Sequence, residues 1–343
     1  MLIGIISDFH LGHKNVDARI YENVVNELQN KYNVDEIVDC GDLVDKCNID
    51  SVISYNLYEM FLSVKIPFHI LRGNHDSLSG LSITQLLAYN NNIKVYNDVG
   101  YSASLNAIFV PYTDNIKETY DKITNVIKQF NNGKPTKLAF SHINVTSNFY
   151  STINIKNTEQ LHVFADTWFN GHIHTPEENK SMYGNFYNVG SLSSLTYGDE
   201  HIPSYKIYNT DTNELTTIKL KNCLIHKTVN HDFDFESFIK EYDEYLIDWR
   251  IKIPNKDLYV DLRQEIKESL QKHKQTHNIQ FDYIKDTTTA AENNVDTNIL
   301  SDNSNNNSNK LSLMEQLILQ YENDTKMQLS DCVKNLLLQK EIV

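Results

Sequence analysis

The sequence predicts a mixed α/β (α+β) fold: a two-sheet β-sandwich flanked by helices, followed by a small α/β segment and a C-terminal helical hairpin. Three observations carry this expectation. Short apolar runs recur, and each empties into a polar cluster led by Gly or Ser. In the first half they alternate with amphipathic stretches, giving a strand, helix, strand order. Later, Tyr205–Tyr208 and Leu215–Leu220, split by Asn209-Thr210-Asp211-Thr212-Asn213, read as an antiparallel hairpin.

Taken in order, Met1-Leu2-Ile3-Gly4-Ile5-Ile6 is the first strand and delivers Ser7-Asp8-Phe9-His10. A continuous apolar run of this kind suits a strand covered on both faces. Ile20, Val24, Val25 and Leu28 recur at helical spacing and predict a helix over 16–32. Strand 36–39 then ends in Cys40-Gly41-Asp42-Leu43-Val44-Asp45. A second helix is expected over 51–64, with Ser51 as N-cap and more apolar surface than one stripe requires. Phe68-His69-Ile70-Leu71 leads into Arg72-Gly73-Asn74-His75-Asp76, and a third helix is read over 80–89.

Short β segments follow at 93–96, 101–105 and 107–111. A helix over 117–130 is stopped by Asn131-Asn132-Gly133. Strands at 137–141, 167–170 and 186–189 complete the set; the first delivers His142, the second Gly171-His172-Ile173-His174. Beyond residue 221, Phe235, Phe238, Ile239, Tyr242 and Leu246 read as one amphipathic helix, and Ile266 and Leu270 mark another. Residues 286–310 offer almost nothing to bury and read as a flexible linker. In 311–343, Ser312 and Glu315 form a capping box, and Leu313, Leu317, Ile318 and Tyr321, then Val333, Leu336 and Leu337, make two narrow apolar faces. Such a pair either folds back on the body or docks on another protein; the long linker favours docking.

The polar clusters carry the chemistry. In open α/β sheets ligands collect at the carboxyl ends of strands, so Asp, His and Asn from several strand ends can meet at one spot. Alternation along extended chain is expected to put Asp8 and His10 on one side, and likewise His172 and His174. Gly41, Gly73 and Gly171 are expected to let the chain turn and approach an ion closely. Carboxylate, imidazole and amide oxygen without thiolate suit two divalent ions of the Mn, Fe or Zn kind rather than a structural zinc site. Asp42 is the expected bridge, because one carboxylate can hold two cations about 3.5–4 Å apart. Cys40, beside it, reads as a small apolar strand residue. Asp45 reads as a local hydrogen-bond acceptor, and His13, His69 and His162 as surface or strand histidines. Arg72 either holds phosphate or pairs with an acidic residue.

The chain has 343 residues and a formal net charge of −14, from 45 acidic against 31 basic residues. That argues against a basic nucleic-acid coat, while bound cations would reverse the field locally. The four cysteines form no C-x-x-C pair, which is consistent with a reducing interior. No apolar stretch reaches about 18 residues and no basic region precedes the first one. A cytoplasmic protein without membrane contact is expected.

D-x-H, G-D-x-x-D, G-N-H-D, a lone His after a strand and G-H-x-H, in that order, resemble the calcineurin-like metallophosphoesterase superfamily. The continuation through Asn188-Val189-Gly190-Ser191-Leu192 to Tyr197-Gly198-Asp199-Glu200 is similar to SbcD-type (MRE-type) nuclease subunits of double-strand-break repair complexes, and the chain is as short as their phage members. The likeness covers residues 1–220 well and the remainder by architecture alone. It implies one ion held by Asp8, His10, Asp42 and His174, and another by Asp42, Asn74, His142 and His172. Mn2+ is the expected metal, with Mg2+, Fe2+ or Zn2+ as alternatives. It further implies His75 as the catalytic histidine, oriented by Asp76. Residues 1–220 would be the nuclease domain and 221–285 a capping, DNA-recognition domain. Residues 311–343 would dock an SbcC-type ABC ATPase coiled coil, double-stranded DNA ends would be the substrate, and helices 51–64 and 80–89 would form a homodimer. The alternatives are a stand-alone small-molecule phosphodiesterase or phosphatase, and a metal-free scaffold; the intact ligand set argues against the last.

Overall fold

The computed structural model describes residues 1–46, 51–76, 90–145, 158–253 and 259–283. Two six-stranded sheets form its centre. The first carries β1 (Leu2–Ile6), β2 (Glu36–Asp39), β3 (Phe68–Leu71) and β4 (Ile93–Tyr96) in parallel, with β11 (Ser204–Asn209) and β12 (Glu214–Lys219) added antiparallel beside β1. In the second, β6 (Ala107–Val110), β7 (Thr136–Ser141), β8 (Ala165–Asn170) and β10 (Gly184–Asn188) run parallel, edged by β5 (Gly100–Ser102) and β9 (Glu177–Ser181).

Pleating divides each strand between two cores. Ile3 and Ile5 of β1 face inward with Val38, Leu71, Phe109, Phe140, Phe169 and Tyr208 between the sheets. On the outer face lies α1 (Ala18–Asn30), capped by the Asp17 side chain and burying Tyr21, Val24, Val25 and Leu28. α2 (Ser51–Leu62) adds Leu57, Met60 and Phe61 to that outer layer. Gly4 lies directly under Leu28, so a Cβ there would collide with the leucine methyls. On the far side of the second sheet, Ile123 and Ile127 of α3 (Ile116–Phe130) cover Ile108, Val110, Ala139 and Trp168.

One packing feature bears directly on function. Phe109, Phe140, Phe169 and Tyr187 stand in register on four neighbouring strands, with successive ring centroids 5.3, 5.5 and 5.3 Å apart. Burying each such side chain stabilises by about 1.5–3 kcal/mol, and a one-residue slip would turn the row out of the core. The row therefore fixes the register of the strand ends just beyond it. There Ser141, Asn170 and Asn188 form a buried polar row: Ser141 donates to Asn170 at 2.7 Å and Asn170 to Asn188 at 3.2 Å. His142 and Gly171 follow immediately.

Residues 224–283 build a third sheet of three parallel strands, β13 (Leu224–Asn230), β14 (Leu246–Ile253) and β15 (Thr276–Tyr283), with α4 (Phe235–Glu241) and α5 (Tyr259–Leu270). Trp249 is fully buried among Phe233, Phe235 and Phe238 on its helical side. Met1–Lys285 form one compact unit.

Among the described residues the expected helices and most strands match within a few residues, and the two-sheet fold is as expected. Three readings need correction. Leu246 fits a helical stripe, yet the helix stops at Glu241 and Leu246 opens β14. β13 and β15 were not expected as strands, and β9 was missed because nearly all of it is exposed and polar. The 101–105 segment is cut to a three-residue strand ending at Ser102, with Asn106 at positive φ in the turn behind it. Helix 80–89, linker 286–310 and hairpin 311–343 lie outside the described residues. Among the described residues no helix is long and apolar enough to cross a membrane.

Candidate metal centre

All nine singled-out residues converge at the carboxyl ends of β1, β2, β3, β7 and β8. Two clusters of donor atoms result, one from Asp8, His10 and His174 and the other from Asp42, His142 and His172. Asn74 joins the second, its Oδ1 3.1 Å from His142 Nε2 and 2.9 Å from His172 Nδ1. Asp42 stands between the clusters, with Oδ2 3.2 Å from His142 Nε2 and 3.8 Å from His10 Nε2.

The expected route to this convergence was wrong in one respect. β1 ends at Ile6 and β8 at Asn170, so strand alternation does not align Asp8 with His10, or His172 with His174. Left-handed backbone does. Asp8, His10, Asp42 and His172 have φ of 51, 55, 54 and 72°, whereas every other described non-glycine residue at positive φ is an asparagine. Each such residue costs roughly 1–2 kcal/mol against ordinary helical or extended backbone, and surrounding structure must hold it there. Backbone bonds between the two motifs do so: Asp8 N donates to Gly41 O and His10 N to Asp42 O, at 2.9 and 3.0 Å. The glycines serve this loop packing. Gly41 takes φ 103°, and a Cβ on Gly73 would collide with Asp42.

Asp76 does a different job from the one expected. Its carboxylate is fully buried and accepts the backbone N–H groups of Gly73, Asp42 and Val44, at 2.7, 3.0 and 3.1 Å. It ties two ligand loops together and leaves the histidine to another partner. His75 Nδ1 lies 2.8 Å from the Asp45 carbonyl, and its backbone N–H donates to Asp42 Oδ1 at 2.8 Å. Asp45 thus belongs to the site: its carboxylate also lies 3.6 Å from His10 Nδ1.

Two further orienting groups escaped the sequence reading. His142 Nδ1 donates to the Cys40 carbonyl at 2.7 Å, which aims Nε2 at Asp42 and Asn74. His174 Nδ1 lies 3.0 Å from Asp199 Oδ1. A ligating imidazole is commonly held this way through its other nitrogen. Asp199 lay in a segment noted only for its likeness, and a backbone carbonyl leaves no mark in a sequence. Cys40 itself is buried apolar packing, as expected. Arg72 Nη2 donates to the Tyr112 carbonyl at 2.7 Å, beside a polar cleft of about 380 Å3 that Asn74, Tyr112, Asp114 and Lys122 also line.

The electrostatics fit cations. Burial pushes the His10 imidazole down to about 3, and burial with the neighbouring His142 pushes His172 to about 4. Both are therefore neutral, the form that binds metal. Burial opposes charge on His142, yet Asp42 beside it raises that imidazole to about 9 and is itself held below the usual carboxylate range. Burial raises Asp8, with Asp42 adding to the effect. His10 Nδ1 is buried without a hydrogen-bond partner, while its Nε2 faces His174 Nε2 at 3.1 Å. Two imidazole nitrogens aimed at each other, beside crowded buried carboxylates, are what a pair of divalent ions would reconcile. The residues fit such a centre.

Residues 1–176, just over half of the chain, match the family calcineurin-like phosphoesterase. The chain belongs to this family. It is a phosphoester hydrolase of a family that uses a dimetal centre, for which the clusters above are the candidate ligands. Among solved structures, an archaeal phosphodiesterase is 16% identical to this phosphoesterase, covering 64% of it and 100% of itself at a TM-score of 0.39. Vps29 from Entamoeba histolytica, complexed with zinc, is 17% identical over 63% of this chain and 90% of its own, with a TM-score of 0.35. A conserved Streptococcus pneumoniae protein described as a predicted phosphoesterase is 16% identical over 64% and 97%, with a TM-score of 0.30. No curated protein matches.

Proposed function

We infer that this phosphoesterase is the nuclease subunit of an SbcCD-like DNA repair and recombination complex, hydrolysing DNA phosphodiester bonds at double-strand ends together with an ABC ATPase. The observation that carries the reading is the third sheet. Phosphoester hydrolysis needs the two-sheet core and its ligands, yet a further α/β layer is packed against the loop that follows the last ligand motif, as a capping domain over 221–285 would be. The segment Asn188–Glu200 and the apolar sequence pattern over 311–343 agree with it.

In this assignment Asp8, His10, Asp42 and His174 hold one ion, and Asp42, Asn74, His142 and His172 the other. Manganese suits the mixed oxygen and nitrogen donors, and a bound pair would supply a nucleophile at neutral pH and neutralise phosphate charge. His75, tethered by the Asp45 carbonyl, donates a proton to the leaving oxygen. Asp76 keeps the Asp42 and Gly73 loops in register.

The test is Mn2+-dependent digestion of linear duplex DNA, with and without the ATPase, by the full chain and by a chain truncated after Lys285. Truncation is expected to leave metal uptake and intrinsic digestion unchanged and to abolish co-purification and ATP-dependent processing. A truncated chain that still co-purifies would move docking elsewhere, and one that unfolds would make 311–343 part of its own core.

The reading includes a two-fold dimer through 51–64 and 80–89. α2 exposes Tyr55, Tyr58 and Leu62, at 61, 39 and 48%, and their spacing puts them on one face. Tyr58→Glu is expected to convert a dimer to monomers on sizing; unchanged elution removes the idea.

A second reading, a stand-alone phosphodiesterase acting on small molecules, is favoured by the 380 Å3 polar cleft beside Asn74, a volume suited to a nucleotide-sized ligand. Full activity on a model phosphodiester with no cleavage of duplex DNA would select it.

A further inference from the structure

His226 and Asp248 sit opposite each other on β13 and β14 and are 4 and 5% exposed. Polar residues buried in so small a sheet are costly unless every donor and acceptor is matched, and here the matching is made with the nuclease core. His226 Nδ1 lies 2.8 Å from Ser194 Oγ, and Ser194 Oγ donates to the Asp199 carbonyl at 3.1 Å. With that hydroxyl proton committed, His226 Nδ1 is the donor to Ser194. Its Nε2 lies 3.4 Å from Asn15 Nδ2, and Asn15 also donates to the Leu195 carbonyl at 2.9 Å.

Asp248 Oδ2 lies 3.4 Å from His226 Nε2, and Oδ1 is 2.7 Å from His277 Nδ1. His277 reaches it because the β14–β15 register shifts there: Ile247 pairs with Thr276 and Asp248 with Asn278. His277 is the inserted residue, and such bulges re-aim a side chain. Tyr197 adds a second attachment, its hydroxyl donating to the Trp249 carbonyl at 3.2 Å and its ring edge-on to His226 at 5.0 Å.

The loop gripped in this way also reaches the candidate metal centre. Asp199 Oδ2 accepts from the backbone of Leu195 and Thr196 at 3.1 and 3.0 Å, while Oδ1 faces His174 Nδ1. One carboxylate therefore joins the loop on the third sheet to a ligand of the first ion cluster.

We propose that His226 and Asp248 are positioning residues for the metal centre, acting through Ser194 and Asp199 to set the orientation of His174. The third sheet thereby governs the ion of the Asp8, His10 and His174 cluster and leaves the Asp42, His142 and His172 cluster unaffected. The inference rests on the dimetal reading of those clusters.

The test is a titration of the metal-stripped full-length protein with Mn2+, following both binding steps, for wild type, His226→Ala, Asp199→Asn and the double variant. Each single change is expected to weaken one binding step by about 10-fold, the lower end for loss of a group that orients a ligand, and to leave the other step unchanged. The double variant is expected to match Asp199→Asn alone, because both act through one carboxylate. Circular dichroism checks folding. Should His226→Ala unfold, Ser194→Ala removes a single hydroxyl and carries the same expectation. Additive losses, equal losses at both steps, or no loss overturn the proposal. A wild type that takes up no pair of ions overturns the dimetal reading itself.

Discussion

Asp42→Asn is expected to remove both ions and with them all phosphodiester hydrolysis. Loss of a terminal ligand, as in His10→Ala, should remove one ion. Asp42 is the residue whose carboxylate faces both donor clusters, 3.2 Å from His142 and 3.8 Å from His10. Its charge would separate two cations that otherwise repel, and losing a direct ligand should exceed the ~10–100-fold affinity cost of an outer partner. The substitution suits a clean test. Asparagine keeps the shape, and its carbonyl oxygen can still accept the His75 N–H that Asp42 Oδ1 now takes. The loops should therefore persist, since Asp76 holds them through three backbone donors. Metal content per chain, measured in Asp42→Asn and His10→Ala side by side, decides the matter. Equal losses in the two variants would place the bridge on another carboxylate, with Asp8 the next to examine.

The candidate ligand types were legible in the sequence because they are chemically unusual at the ends of apolar strands, and the aromatic row of Phe109, Phe140, Phe169 and Tyr187 sets the register of the two strands that deliver His142 and His172. Their aim was not legible. Four left-handed residues turn the ligands inward, and nothing in Asp8, His10, Asp42 or His172 as letters announces that backbone. Orienting partners divide by kind. The Cys40 and Asp45 carbonyls are backbone atoms without a residue signature, and Asp199 is a lone acid 25 positions after the histidine it holds. Asp76 was misjudged because adjacency to His75 in sequence suggested contact, whereas the turn points its carboxylate at the neighbouring loop. In the third sheet, His226, Asp248 and Arg250 interrupt the apolar pattern. His226 does so because it meets Ser194 and Asn15 of the core, whereas Asp248 and Arg250 pair within the sheet, with His277 and Asp282.

His75→Ala is expected to abolish hydrolysis while leaving both ions bound, with a loss of at least ~10²-fold, the usual scale for a positioned general acid. His75 lies at the edge of the donor clusters: its ring centroid is 4.7 Å from that of His10, and its Nδ1 is occupied by the Asp45 carbonyl. Acting as the general acid, His75 would deliver its proton to the leaving oxygen from Nε2. That arrangement separates chemistry from metal binding, and the two measurements are independent. The alternative is also written in the geometry, since His10, Asp45 and His75 form a third group able to hold an ion. Were His75 a ligand, His75→Ala would lower metal content as His10→Ala does. Retention of both ions with activity lost assigns it to proton transfer. A substrate carrying an activated leaving group, which needs little protonation, should then recover most of the rate in His75→Ala but none in Asp42→Asn.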